Sequence, residues 1–327
     1  MKIKSFAIAA ISAITLALPA QAETLSLAYF MGANHPMNKA FLTPMGEMIA
    51  EETGGALTVE HYPGGALNGV PSKQYSIMLD GVADIVFMTP SATSRLFPKT
   101  SVISLPNLCE TAAECTTMLR AAESEIATEY RGKIVGLWTA SPPVLITRDT
   151  PVRTLDDIRG MKIRVPDPTA IPFVEALGAS PVAIPVTDIN QALANGVIDG
   201  IMIDPSGILS FKLDEPGNYV TNWFAGGAPT FVVAMNQGVY DGLDDAGKAA
   251  VDKVAASDLS MQAAEMYWNI GRQGLAHAEE KGLEIIEFSP EDRQEIDAVV
   301  AEVMATVSAE DAGDRTVGDI VALLKGQ

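Results

Sequence analysis

The chain has 327 residues, 48% of them hydrophobic, with 41 acidic against 22 basic side chains and a formal net charge of −19. So acidic a chain is a poor partner for nucleic acid or an anionic membrane surface. Its length suits two domains of ordinary size.

Lys2 and Lys4 open the chain with positive charge, residues 6–18 are apolar apart from Ser and Thr, and Pro19-Ala20-Gln21-Ala22 ends in a small-x-small site. This three-part pattern reads as a secretory signal peptide over residues 1–22, with an amphipathic helix of the mature protein as the alternative. No cysteine stands at the cut, which argues against a lipoprotein anchor. No later apolar run is long enough to span a bilayer. Cleavage removes two lysines and no acid, so a periplasmic, still more acidic mature chain is expected, without direct membrane insertion. Salt screens its repulsion of anions within about 8–10 Å, so a local cationic pocket can still prevail.

Residues 25–30 read as a first strand, followed by the loop Gly32-Ala33-Asn34-His35-Pro36. Met37, Phe41, Met45, Met48 and Ile49 recur at helical spacing, with Pro44 placed to kink that helix. Residues 57–62 alternate as a strand, 72–80 as a helix and 85–88 as a short buried strand, so the opening is β-α-β-α-β with parallel strands. The loop 89–98 lies at a strand's carboxyl end and carries Thr89 and Ser91. It reads either as a cleft wall or as an ordinary solvated loop.

Cys109 and Cys115 are the only cysteines. In an exported chain they read as a small disulfide loop or as two free thiols. Thr111 and Glu114 form a capping-box pattern between them. Strands at 134–138 and 144–147 flank Ser141-Pro142-Pro143. Residues 154–166, Thr-Leu-Asp-Asp-Ile-Arg-Gly-Met-Lys-Ile-Arg-Val-Pro, follow as a short capped helix, a glycine stop and a strand ended by Pro166. Arg164 therefore stands near the end of a strand, where small ligands bind in α/β folds, and its guanidinium is a fork for a carboxylate. From local sequence alone a surface or salt-bridged arginine is the more common reading.

A second alternating series runs through a helix at 169–177, a strand at 182–184, a helix at 187–194, a strand at 200–203, a helix over 204–213 and strands at 219–221 and 230–235. Residues 244–281 predict one long helix, bent or broken at Gly271, able to run from lobe to lobe. A strand at 283–288 and acidic outer helices complete the chain. The reading is two α/β lobes.

No phosphate loop, nucleophile elbow or metal signature appears, and His35, His61 and His277 are scattered. No cofactor, metal or catalytic constellation is expected, and a non-enzymatic role fits better than catalysis.

The run 152–166 resembles the signature of DctP-type extracytoplasmic solute-binding proteins of TRAP transporters. The likeness continues through Ala176-Leu177-Gly178-Ala179-Ser180-Pro181-Val182, Asn195-Gly196-Val197-Ile198-Asp199-Gly200 and Ser210-Phe211-Lys212-Leu213-Asp214-Glu215. Upstream, His61-Tyr62-Pro63-Gly64-Gly65-Ala66-Leu67, Asp80-Gly81-Val82-Ala83-Asp84-Ile85 and Leu105-Pro106 are similar as well. The resemblance implies a two-lobed periplasmic-binding-protein fold with a hinge cleft and a long lobe-spanning helix. Residues 23–141 with 230–270 would form one lobe, and 142–229 with 271–327 the other. It also implies a receptor that binds a small organic acid between the lobes and delivers it to TRAP permease membrane subunits. An exported sensor serving a chemoreceptor is the alternative, with an exported enzyme on a similar fold behind it.

The resemblance implies that Arg164 stands at the family position that grips the ligand carboxylate. Asn34, His35, Thr89, Ser91, Trp138, Pro143 and Asp204 are further candidate pocket residues. The pattern departs at Pro142-Pro143-Val144, where many members carry a second arginine. It departs again at Ile201-Met202-Ile203, which intervene before Asp204. Both departures imply a less polar pocket, and so a monocarboxylate with an apolar body rather than a sialic-acid-like or dianionic ligand.

Overall fold

The computed structural model describes residues 22–222 and 224–327. The signal-peptide reading of residues 1–22 therefore lies outside the described residues, save for Ala22. The strands of the two main sheets, in chain order, are β1 (Glu23–Ala28), β2 (Leu57–Tyr62), β3 (Ile85–Met88), β4 (Gly132–Thr139), β5 (Val144–Thr147) and β6 (Lys162–Val165). They continue with β7 (Ser180–Ala183), β8 (Gly200–Ile203), β9 (Tyr219–Asn222), β10 (Thr230–Asn236) and β11 (Glu284–Glu287).

One sheet has the order β2-β1-β3-β10-β4 and the other β11-β9-β5-β8-β6-β7. In each, parallel strands joined by helices lie beside one antiparallel strand that arrives from the other half. β10 runs antiparallel to β3 and β4, and β5 antiparallel to β8 and β9. The chain thus crosses between sheets after β4 and returns before β10. The two crossings are hydrogen-bonded to each other: Ala140 N donates to Pro229 O (3.0 Å) and Phe224 N to Pro143 O (3.0 Å). Glycine is required beside them, since a Cβ on Gly227 would stand 2.0 Å from the Ser104 backbone carbon.

Local chemistry explains most elements. Thr154 and Asp157 form the expected capping box on the one-turn helix Leu155–Ile158, and Gly160 follows at φ +75°, a conformation only glycine adopts cheaply. Thr111 caps the helix Ala112–Ala121 by accepting from Glu114 N (3.1 Å). Cys109 and Cys115 are disulfide-bonded across that cap. At Pro44 the bend takes the form of a π-helical turn, Asn38–Leu42, just ahead of the helix Thr43–Glu52. The proline sits in that helix's first turn, where no amide is needed.

Three expectations are corrected. Residues 244–281 form two helices, Asp245–Ala256 and Leu259–Glu280. The break falls at Ser257, whose ψ of 172° leaves the helical region, and not at Gly271. Gly271 and Gly274 lie within the second helix because the chain after β8 packs tightly there; a Cβ on Gly274 would be 2.5 Å from Pro205 O. The helix expected over 204–213 shrinks to Gly207–Ser210. The last segment does not stay with the second half. Helix Pro290–Val307 packs against Ile171–Ala176, but helix Val317–Leu324 returns to Ala112–Ala121 in the first half. The buried Lys99 ammonium holds that return, 2.5 Å from Glu125 and 2.6 Å from Asp314.

Helix Leu259–Glu280 reaches both halves. Near its start Ser260 Oγ accepts from Leu137 N on β4 (3.1 Å). Near its end His277 Nε2 lies 3.1 Å from Asp214 Oδ2, in the chain following β8.

Candidate functional site

Between the two sheets lies a cavity of about 600 Å³. Its walls come from the carboxyl ends of parallel strands in both halves: Phe30 and Met31 after β1, Thr89 after β3, Pro166 and Asp167 after β6, Ile184 and Pro185 after β7, and Asp204 after β8. Strands that run the same way and stop at the same level leave their outgoing loops facing one crevice. Phe30, Phe87, Phe231 and Tyr267 supply aromatic surface, and Pro143, Pro166, Pro185 and Pro229 supply rigid apolar edges. Such a cavity, mostly apolar with few convergent polar groups, is the general form of a small-molecule site.

Arg164 is 5% exposed and lines this cavity. Its register fixes its neighbours, since β6 pairs it with Val182 on β7 and Ile201 on β8. Nε donates to Ile184 O (3.1 Å) and Nη1 to Met202 O (3.2 Å). These two backbone acceptors orient the guanidinium and leave most of its five donors for a ligand. Burial pulls its pKa down to about 10, against the opposing pull of Asp167 and Asp204. The group therefore stays cationic at neutral pH. No carboxylate among the described residues forms an ion pair with it.

Two buried carboxyls flank the arginine without touching it. Asp167, 4% exposed, accepts from Thr169 N (2.7 Å) and Thr169 Oγ1 through one oxygen. Asp204, 8% exposed, accepts from Ser206 N (3.1 Å) and Ser206 Oγ. Burial raises the pKa of each above the ordinary aspartate value, and these hydrogen bonds only partly oppose it.

His35 forms part of the wall, with its Nδ1 accepting from Met37 N (3.4 Å). Burial lowers its pKa to about 4. The unfolded chain, near the ordinary value of 6.5, binds that proton more tightly. Stability contributed by neutral His35 is therefore full above pH 6.5 and is lost as pH falls through 6.5 toward 4. His35→Gln is expected to flatten the fall in urea-unfolding stability between pH 7 and 4.5 by on the order of 2 kcal/mol. An unchanged slope would remove His35 as its source.

Of the expected pocket residues, His35, Thr89, Ser91, Pro143, Arg164 and Asp204 share the cavity wall. Asn34 and Trp138 do not. Asn34 is exposed and is not part of the wall. Trp138 is fully buried one layer behind the wall, with Phe231, 5.8 Å away between ring centroids, on the lining side. Sequence reasoning missed Asp167, Phe231 and Tyr267. Asp167 was signalled by its place just beyond Pro166. Tyr267 and Phe231 sit among apolar residues on a helix and a strand, where nothing local separates a wall from a core.

The sequence model of DctP, bacterial extracellular solute-binding protein family 7, matches residues 27–311. A TRAP solute binding protein from a marine metagenome, specific for aromatic acid ligands and solved with co-crystallized 3-hydroxybenzoate, has 27% identity and a TM-score of 0.87, covering 94% of this chain and 98% of that one. A TRAP solute binding protein from Rhodoferax ferrireducens T118, solved with copurified benzoate, shares the fold at 23% identity and a TM-score of 0.85, over 93% and 96% of the two chains. A solute-binding protein of Sulfitobacter sp. strain NAS-14.1 is 30% identical over 215 residues, 63% of this chain. This chain spans 64% of that relative's length, just under two thirds. The two-lobed architecture, the cleft at the strand ends and the family match across most of the chain agree: the chain belongs to the DctP family of bacterial extracellular solute-binding proteins.

Proposed function

We propose that this protein is the periplasmic solute receptor of a TRAP transporter. It binds a small organic monocarboxylate with an apolar, ring-sized body and hands it to membrane permease subunits. The observation that carries this reading is Arg164. It is a buried cation with unused donors, ion-paired with no carboxylate among the described residues, in the wall of a cavity whose surface is mostly apolar. A buried charge is costly unless paired, and a ligand carboxylate is the partner this geometry accepts bidentately. The neighbour with 27% identity and an aromatic acid in its structure supports the same ligand class. Lobe closure about the two crossings, a hinge motion, would enclose the ligand and present a closed face to the permease.

A thermal-shift screen of aromatic and aliphatic monocarboxylates against C4-dicarboxylates tests the reading. A ligand at 100 times its Kd adds about 2.7 kcal/mol of stability, a shift of several degrees. Shifts confined to the C4-dicarboxylates would overturn the monocarboxylate assignment.

A further inference from the structure

Tyr267 stands in the cavity wall, 3% exposed, on the helix Leu259–Glu280. Its ring stacks on Phe231 at 4.9 Å and 30°, which fixes the direction of its hydroxyl. That hydroxyl is buried and has no hydrogen-bond partner among the described residues. Burial first, and the nearby Asp204 charge second, keep it protonated by pushing its pKa well above the ordinary phenol value. Asp204 lines the same cavity from the end of β8, yet no hydrogen bond joins the two side chains. Ser210 Oγ, in the same wall, is also buried with no hydrogen-bond partner among the described residues.

Buried polar groups in native proteins are nearly always paired. The unpaired Tyr267 hydroxyl, in a largely apolar wall that it shares with the Asp204 carboxyl, calls for a ligand group that can bridge the two. Arg164 accounts for the ligand carboxylate and leaves this second demand unmet. The bridging group must accept from Tyr267 and donate to Asp204. A hydroxyl does both, an ether or ketone only accepts, an ammonium only donates, and a methyl group does neither. Because a hydroxyl both donates and accepts, it suits Asp204 whether that carboxyl is ionised or protonated.

We propose that the ligand is a hydroxy-substituted carboxylic acid whose hydroxyl bridges Tyr267 and Asp204 while its carboxylate sits on Arg164. Tyr267 and Asp204 are then the residues that set specificity within the carboxylate class. The proposal rests on the carboxylate reading above and adds the second functional group. A site built around hydrogen bonds to a hydroxyl rejects the analogue that lacks it far more strongly than an apolar pocket rejects a missing methyl.

The test is titration calorimetry on the wild type, Tyr267→Phe and Asp204→Asn with two matched sets of acids. One is benzoate, 3-hydroxybenzoate and 3-methoxybenzoate; the other is phenylacetate and mandelate. In at least one set the hydroxy acid is expected to bind the wild type at least tenfold more tightly than its parent, with the methoxy analogue losing that advantage. Tyr267→Phe is expected to weaken the hydroxy acid far more than its parent, pulling the hydroxy-to-parent ratio toward one. A merely structural tyrosine would instead weaken parent and hydroxy acid alike, and that result would overturn the proposal. Asp204→Asn is expected to reduce the ratio as well, and an unchanged ratio in both variants would count against it. Parent acids that bind as tightly as their hydroxy partners overturn this proposal alone. If no acid binds at all, the carboxylate reading falls and takes this one with it.

Discussion

Replacing Arg164 by alanine is expected to weaken carboxylate binding by on the order of 100- to 1,000-fold, the equivalent of losing one partner of a buried charge pair. The size follows from where the arginine stands. It is 5% exposed, so solvent cannot take over from a missing partner. Asp167 and Asp204 are close enough to act on its charge. With Arg164 gone, the ligand carboxylate would meet two buried acids and no cation. Arg164→Lys is expected to recover only part of the loss, because a point charge cannot reproduce the fork or reach both Ile184 O and Met202 O. Calorimetry with a carboxylate found in the screen measures both variants. A melting curve without ligand checks that each is folded, since Arg164→Ala also leaves two strand-end carbonyls without their donors. A folded Arg164→Ala variant with undiminished affinity would move the anchor elsewhere in the wall, Arg95 being the other arginine there.

How much of this was legible beforehand differs between fold and site. Strand and helix alternation was readable because buried parallel strands such as β3 and β8 are short apolar runs bounded by Gly, Pro and Asp. The capping box at Thr154 and the stop at Gly160 place Arg164 near a strand's end from sequence alone. Failures came where long-range packing overrides local pattern. Gly271 looks like a helix breaker in sequence, but it faces Pro205, which makes a small residue useful there. Ser257, which does break the helix, carries no strong signal. The C-terminal helix returns to the first half through Lys99 and Asp314, a pair more than two hundred residues apart that no local rule connects. Within the site, residues set by strand-end position could be named, whereas Tyr267 and Phe231 depend on how helix Leu259–Glu280 lies across the sheets.

Trp138 gives the sharpest test of that boundary between wall and core. Its ring stacks on Phe41 at 4.8 Å and 17°, and lies 6.0 Å from Phe87 and 5.8 Å from Phe231. Gly136, two residues earlier on β4, makes room for this stack, since a Cβ there would stand 2.2 Å from Phe41 Cζ. Removing so large a buried ring leaves a cavity, and Trp138→Ala is expected to cost about 3–5 kcal/mol in urea unfolding. Trp138→Phe keeps most of the aromatic contact and removes an indole N–H that has no hydrogen-bond partner among the described residues. Its cost is expected to be about 1 kcal/mol. The decisive comparison is affinity at a temperature where both variants are folded. Trp138 supports Phe231, which in turn stacks on Tyr267, so Trp138→Ala lets the wall relax and weakens all acids together. Trp138→Phe leaves the wall in place and should hold the order of preference among acids unchanged. A reordering of preference by Trp138→Phe, at nearly wild-type stability, would mean that the indole contacts the ligand directly and that Phe231 does not screen it.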